Sequence, residues 1–297
     1  MSNKTKHIYP SESNLKKIKE ATKLLYDVVP INPQSILINH PMINSITNII
    51  PKEFMLSKKD DILKGKYNYY YNVNGYEFTE GDFSNLQEFN PDPNKKSNKG
   101  GQLILNVMYK LDELLLALYF HDLIDKAKDI VGMYIYVRNP YKLLWFSLVK
   151  DYLSEEDFAH YIEDCWISEE NPNQDVNVPR KQSLSWFKMA NKKLLMNEED
   201  YKHWEELPEQ VHIYRGVSIG HEEYGLSWTD DIDKAEWFMN RFNKKDKDGN
   251  VTQTGYLLEA VVPKDLIVAY FNTRSEAECL LDVFKAKRMG LIKIMYN

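Results

Sequence analysis

Polar side chains that could take part in catalysis lie at the edges of short predicted strands in the last ninety residues. The set comprises Arg215, Ser227, Thr229, Glu276 and Glu278. A guanidinium offers a planar fork to phosphate, a hydroxyl orients its neighbours, and a carboxylate stabilises developing positive charge. Taken singly, each is more often a surface residue, a turn residue or a solvated strand edge. Their significance therefore depends on the order in which they occur together.

Other common catalytic motifs are missing or incomplete. The sequence has no glycine-rich phosphate loop of either standard spacing, and no histidine pair on adjacent helical turns for zinc. Residues 216–220, Gly-Val-Ser-Ile-Gly, have the letters of a serine-hydrolase elbow. That site needs an acid and then a distant histidine after the serine, yet only His221 follows Ser218. We therefore set the hydrolase interpretation aside.

Three short motifs in the C-terminal third occur in a recognisable order. They are Tyr214-Arg215-Gly216, Ser227-Trp228-Thr229 and Arg274-Ser275-Glu276-Ala277-Glu278. This order resembles the Arg-Ser-Glu clade of ADP-ribosyltransferases, and is similar to prophage- and bacterium-encoded members of that superfamily. The resemblance is strong over about 85 C-terminal residues, loose from about 134 to 207, and absent before residue 100. It implies an α+β fold in which a mainly helical N-terminal region precedes an ADP-ribosyltransferase-like split β-sandwich.

The resemblance also implies roles for individual residues, with NAD as substrate. Glu278 would stabilise the oxocarbenium-like transition state at the ribose. Arg215 would bind the pyrophosphate, while Ser227, supported by Thr229, would hold Glu278 and the nicotinamide side of the pocket. Gly216 would let backbone groups approach the nicotinamide amide.

Further residues would face the acceptor or complete the NAD site. Tyr214 belongs with the NAD-binding residues. If residues 276–278 are extended, Glu276 points to the same side as Glu278 and could polarise an arginine acceptor. Arg274 and Phe271 would contact the target, although plain packing is an equal alternative for Phe271.

Two features depart from the family pattern. Trp228 replaces the usual middle threonine, and it either packs under the sheet or faces the ligand. Only 12 positions separate Arg215 from Ser227, too few for the long helix that many relatives have there. The pocket floor must therefore be built differently.

The resemblance predicts a mono-ADP-ribosyltransferase that releases nicotinamide and modifies a macromolecule. We expect the target to be a protein side chain, with arginine as one candidate, rather than nucleic acid. Three alternatives stay open: modification of nucleic acid, NAD hydrolysis or phosphotransfer from RNA to NAD, and a non-catalytic phage or virion interaction module that keeps the fold.

Composition sets the broader class. The 38 basic and 44 acidic side chains give a net charge of −6, which argues weakly against a dedicated duplex-binding protein. Two distant cysteines make a disulfide framework or a structural zinc site improbable, so we expect no metal. The N-terminal residues lack an apolar signal segment and no apolar stretch reaches ~20 residues. We therefore expect a cytoplasmic protein without a membrane span, in the host cytoplasm if a phage encodes it.

Hydrophobic periodicity predicts the elements that must position these residues. In the N-terminal part we expect a helix over 13–28, a hairpin over 67–78 turning at Asn74-Gly75, a linker over 91–101 and a long helix over 103–127. Next come a helix start at Asn139-Pro140, a capping box from Ser154 to Asp157, and helices over 181–195 and 198–207. In the C-terminal part we expect strands over 211–214, 225–229, 254–262, 266–271, 279–283 and 291–295, and a helix capped by Asp231.

These elements predict three regions. Residues 1–101 form an accessory region, 102–207 a helical segment that packs on the catalytic core, and 208–297 the NAD-binding core.

Overall fold

The computed structural model describes residues 10–27, 49–68, 75–89, 101–106, 109–137, 139, 141–175 and 177–296. The described elements mix helices with antiparallel sheets, which confirms the α+β class. The chain divides between Tyr141 and Lys142 into two compact units.

The unit before Tyr141 combines five helices of the described residues with a small antiparallel sheet. The helices are α1 (Glu12–Asp27), α2 (Lys52–Leu63), α3 (Glu80–Ser84), α4 (Lys110–Lys126) and α5 (Ile130–Tyr134). The strands are β1 (Ile49–Pro51), β2 (Gln87–Phe89) and β3 (Gln102–Ile104), in the order β1-β3-β2. The helix predicted over 13–28 is confirmed as α1, whose Ile18 is fully buried. The predicted hairpin turn lies largely outside the described residues.

The segment after residue 101 differs from its prediction. Leu103 is buried in β3, where it pairs with Ile50, and the helix begins only at Lys110. An apolar run of this length fits a buried strand as well as a helix, so periodicity alone did not separate the two. Because β3 pairs with strands on the other side of residue 101, the compact units do not divide at the predicted boundary.

The second unit, from Lys142 onward, begins with helices. These are α6 (Lys142–Val149), α7 (Glu155–Ser168), α8 (Arg180–Met189), α9 (Lys192–Leu195) and α10 (Glu198–Glu206), with 3-10 turns at Lys150–Tyr152 and Pro172–Gln174. The hydroxyl of Ser154 accepts a hydrogen bond from the Asp157 amide at 3.0 Å, which confirms the predicted cap. The single helix predicted over 181–195 is interrupted at Ala190, which is extended.

A six-stranded antiparallel sheet follows. Its strands are β4 (Gln210–Val217), β5 (Ser227–Thr229), β8 (Tyr256–Pro263), β9 (Ile267–Phe271), β10 (Glu278–Leu281) and β11 (Ile292–Tyr296), in the order β11-β8-β4-β5-β10-β9. The two central strands, β4 and β5, meet through one residue pair, Tyr214 with Thr229, whereas β4 and β8 pair along their whole length. The sheet therefore consists of two three-stranded halves joined at a narrow seam.

Two helices and a small hairpin complete this unit. Asp231 caps α11 (Ile232–Asn240), as predicted, and α11 packs on β4. After α11, a small hairpin consists of β6 (Lys244–Lys245) and β7 (Val251–Gln253). The strand expected to reach Val283 ends at Leu281, because Asp282 accepts the Lys285 amide and caps α12 (Val283–Arg288). Among the described residues, no helix is long and apolar enough to cross a membrane.

Candidate active site

One cleft in the second unit collects most of the residues singled out from the sequence. The predicted residues that line it are Tyr214, Arg215, Gly216, Ser227, Thr229, Arg274, Glu276 and Glu278. The cleft also receives residues 169–174, which follow α7, and the C-terminal end of α11. Its volume is about 230 Å³, somewhat below the ~300–1,000 Å³ typical of small-molecule sites.

Glu278 is a buried carboxylate on the floor of this cleft. It is the first residue of β10, opposite Thr229 on one side and Phe271 on the other. Its side chain is nearly inaccessible, with 6% of the residue exposed. The indole Nε1 of Trp166 donates a hydrogen bond to its Oε1 at 2.9 Å. A buried ionisable group held by a dedicated donor in a cleft is a candidate catalytic residue.

Arg215 has its guanidinium committed to backbone carbonyls. Its Nε donates to Glu223 at 3.2 Å, Nη1 to Ser227 at 2.6 Å, and Nη2 to Glu222 at 2.8 Å. A Cβ on Gly225 would lie 2.5 Å from Nη2, so the loop backbone closes directly over this group. Burial lowers the pKa of Arg215 to about 10, which leaves it charged at neutral pH. Arg215 thus holds the loop that leads into β5.

The hydroxyl of Ser227 is engaged differently from its prediction. Ser227 Oγ accepts a hydrogen bond from Asn173 Nδ2 at 2.9 Å, whereas Trp166 donates the hydrogen bond to Glu278. Asn173 also accepts the Leu226 amide at 2.5 Å, so this one side chain braces the start of β5. Thr229 Oγ1 accepts the Asp231 amide at 3.1 Å and supports the cap of α11.

Gly216 is required by the packing of a helix on a strand. A Cβ at this position would lie 1.9 Å from the carbonyl oxygen of Ala235 and 2.4 Å from the amide nitrogen of Met239. Tyr214 packs against the same helix, and its hydroxyl lies 3.2 Å from Nδ1 of His212. The close approach that the structure gives Gly216 is therefore to α11.

The two glutamates of the third motif do not share one extended segment, so the condition under which both side chains would point to the same side is not met. The strand begins at Glu278, while Ser275 and Ala277 have φ of 56° and 49°. Both are in the left-handed region, which costs a non-glycine residue roughly 1–2 kcal/mol. Asn272 stabilises this turn, because its Oδ1 accepts the Ala277 amide at 3.0 Å. Glu276 nevertheless lines the cleft with Glu278.

Arg274 and Glu276 form an ion pair at the cleft edge. Arg274 Nη2 donates to Glu276 Oε2 at 2.7 Å, and Nη1 donates to the carbonyl of Ile167 at 2.6 Å. Burial raises the pKa of Glu276, and the charge of Arg274 opposes that shift. The carboxylate that the resemblance assigns to an acceptor guanidinium thus already binds one.

Two aromatic residues near the motifs are structural. Phe271 is buried in β9, and its ring centroid lies 6.0 Å from that of Phe187, so it packs inside the unit instead of contacting a target. Trp228 is also buried, and its Nε1 donates to the carbonyl of Gly225 at 3.0 Å. Packing is therefore the correct alternative for Phe271, whereas Trp228 is buried and also lines the cleft.

The cleft contains a further arginine that sequence reasoning missed. Arg241 follows α11, and its guanidinium lies 5.4 Å from the ring centroid of Trp237 and 5.1 Å from that of Phe242. Both rings are largely exposed at the cleft mouth. Nη2 of Arg241 donates to the exposed carboxylate of Glu170 at 2.8 Å. The signal was available, since Trp237 and Arg241 are four residues apart and so share one helix face.

A second buried carboxyl, Glu169, lies at the rear of the cleft. It accepts the amide of Lys142 at 3.1 Å, at the start of α6. Burial and the nearby charge of Asp175 raise the pKa of Glu169 to about 7. Within the described ranges, no group of three His, Cys, Asp or Glu side chains is arranged to hold a metal ion.

Comparisons with known proteins assign no role to these residues. No protein-family model matches the chain, and no curated protein or solved structure matches it either.

Proposed function

We propose that the chain is a mono-ADP-ribosyltransferase that uses NAD as its substrate. The observation that carries the proposal is the convergence of three separate motifs on one cleft, with the buried carboxylate of Glu278 at its floor. A loop separates the first two motifs, and a helix and four strands separate the second from the third, so the convergence of the third motif with the other two is a property of the fold and not of sequence proximity. The division of the sheet into two halves at the β4–β5 seam supports a split β-sandwich.

The chemistry follows from charge and enclosure. The bond between ribose C1′ and the nicotinamide nitrogen breaks heterolytically, and neutral nicotinamide leaves with the electron pair. Positive charge develops on the ribose, where the Glu278 carboxylate would stabilise it in a water-poor site. An acceptor nucleophile then bonds to C1′ and loses a proton. A cleft of about 230 Å³ would enclose the nicotinamide and its ribose and leave the rest of the dinucleotide at the mouth.

At the mouth, Arg241 is the guanidinium best suited to the diphosphate. Its partner Glu170 is an exposed carboxylate with 70% of its side chain accessible, and such pairs contribute little to stability. Exchange of that carboxylate for a diphosphate is therefore easy. Arg215, whose three nitrogens already donate to carbonyls, would act on the ligand only through its charge.

The test is nicotinamide release from NAD, measured by chromatography with and without a cell lysate as a source of acceptors. We expect Glu278→Gln to reduce release roughly 100-fold or more, because it removes the charge and keeps the shape. Glu259→Gln on β8 is the control, since Glu259 lies outside the cleft and contacts His212. Equal release by wild type and Glu278→Gln, or none from wild type under any condition, would overturn the proposal.

NAD hydrolysis is the second candidate, and the Arg274–Glu276 pair favours it. A carboxylate already bound to a guanidinium has less capacity to bind an acceptor arginine. If transfer is the function, Glu276→Gln lowers transfer to lysate proteins more than it lowers nicotinamide release. If both fall together, Glu276 has no acceptor role and hydrolysis becomes the better description.

A further inference from the structure

The partner of Glu278 is an indole, and both groups are buried. Trp166 lies in α7 with none of its surface exposed, and 112 residues separate it from Glu278 in the chain. Its Nε1 lies 2.9 Å from Glu278 Oε1. An indole N–H only donates, and it does not ionise in the working pH range of proteins. It therefore remains a hydrogen-bond donor to Glu278 without any change of its own state.

Packing fixes the indole as firmly as the strand fixes the glutamate. The ring of Phe187 in α8 lies edge to face with Trp166, with centroids 5.4 Å apart and planes at 88°. The Phe187 ring in turn contacts Phe271, whose backbone pairs with Glu278 in the sheet. The contacts thus form a closed ring from Glu278 through Phe271, Phe187 and Trp166 back to Glu278. These contacts hold the indole N–H of Trp166 toward Glu278.

We propose that Trp166 is a positioning residue that holds Oε1 of Glu278 and so presents the other carboxylate oxygen, Oε2, to the ligand. This inference rests on the proposed role of Glu278. A carboxylate with one oxygen fixed keeps a single orientation of its second oxygen, as preorganised stabilisation of a transition state requires. A serine hydroxyl in this place could rotate and either donate or accept. The indole N–H can only donate, and it does not rotate independently of the ring.

The sharpest test removes the N–H and keeps the ring. Benzothienylalanine at position 166 replaces the indole nitrogen with sulfur and preserves the shape of the side chain. We expect kcat for nicotinamide release to fall roughly 10- to 100-fold, as for the loss of a hydrogen bond to a charged group, while KM for NAD changes less than threefold.

Two variants made from standard amino acids accompany the benzothienylalanine replacement. Trp166→Phe removes the N–H and part of the ring, and its folding is checked by circular dichroism. Trp186→Phe is the matched control, because Trp186 is equally buried and packs on Phe146 instead of Glu278. Loss of kcat with little change of KM in the position-166 variants alone supports the proposal. A wild-type kcat in both position-166 variants overturns it.

A double-mutant cycle tests the contact without NAD. The benzothienyl replacement is measured by urea unfolding in the wild-type chain and in Glu278→Leu. We expect it to change the unfolding equilibrium constant at least tenfold more when Glu278 is present. Additive effects would overturn the positioning role even in an active enzyme. A coupled pair in a wild-type chain that releases no nicotinamide would instead refute the proposed function.

Discussion

Three arginines line the cleft, and they differ in what their nitrogens already bind. Arg215 donates to three backbone carbonyls, Arg274 to a carbonyl and to Glu276, and Arg241 to one exposed carboxylate. A guanidinium that satisfies three partly buried carbonyls cannot leave them without leaving these acceptors unpaired. The order of the motifs assigns the diphosphate to Arg215, but the hydrogen bonds make Arg241 the available group.

Replacement of each of these two arginines by alanine separates the two roles. We expect Arg215→Ala to lower the free energy of unfolding by roughly 2–4 kcal/mol, because three carbonyls lose a charged donor. We expect Arg241→Ala to lower it by only about 1 kcal/mol and to weaken NAD binding roughly tenfold, since an exposed ion pair and the contacts with the exposed rings of Trp237 and Phe242 are lost. Urea unfolding and titration calorimetry measure the two effects. Weaker NAD binding with wild-type stability in Arg215→Ala would restore the original assignment.

At the scale of elements, the cleft depends on how closely α11 lies on β4. Gly216 has no space for a side chain, because the backbone atoms it would meet cannot move without moving the helix. We expect Gly216→Ala to lower the free energy of unfolding by roughly 3 kcal/mol or more, an effect in the range of severe core overpacking. Differential scanning calorimetry would measure it.

Gly81→Ala is the control for this prediction. Gly81 lies in α3 and its nearest neighbour to an added Cβ is Thr79 Oγ1 at 3.5 Å, an ordinary contact. Alanine is the better helix former, so we expect this variant to be neutral or up to ~1 kcal/mol more stable. A Gly216→Ala chain as stable as Gly81→Ala would show that α11 can move away from β4 without cost.

Local patterns predicted most of these elements, but not their exceptions. Local sequence is enough to predict the strands β4, β8 and β9 and the caps at Ser154 and Asp231, because each depends on residues that are adjacent in the chain. The run from Leu103 was misassigned, because its partner strands lie elsewhere in the chain. Positive φ at Ser275 and Ala277 was equally unreadable, since neither residue favours it.

The sequence predicted which residues lie in the site better than it predicted what each of them contacts, for a similar reason. The motif residues do gather in one cleft, but the hydrogen-bond donors to Ser227 and Glu278 are distant in sequence. Nothing near Trp166 distinguishes an indole that binds a carboxylate from one that fills a core, because both lie on the buried face of a helix. The same holds for Asn173, which lies in a 3-10 turn and donates a hydrogen bond to the Ser227 hydroxyl.

On the scale of the whole molecule, buried carboxyls couple stability to pH. Burial raises the pKa of both Glu163 and Glu169 to about 7, from an ordinary value of 4.5. The folded state therefore binds more protons than the unfolded state between these two values. The stability that comes from the protonated form is fully present below pH 4.5 and is lost as the pH rises through about 7.

Glu169→Gln tests this coupling, because an amide still accepts the Lys142 amide and cannot ionise. A shift of about 2.5 pH units corresponds to at most roughly 3 kcal/mol, so we expect the variant to gain about 1–3 kcal/mol over wild type at pH 8. At pH 4.5 the two chains should be equally stable. Glu170→Gln, at an exposed neighbour, should follow wild type at both pH values. Urea unfolding at pH 4.5 and pH 8 measures the difference, and a gain of equal size at both would mean that Glu169 destabilises the fold by shape and not by its charge.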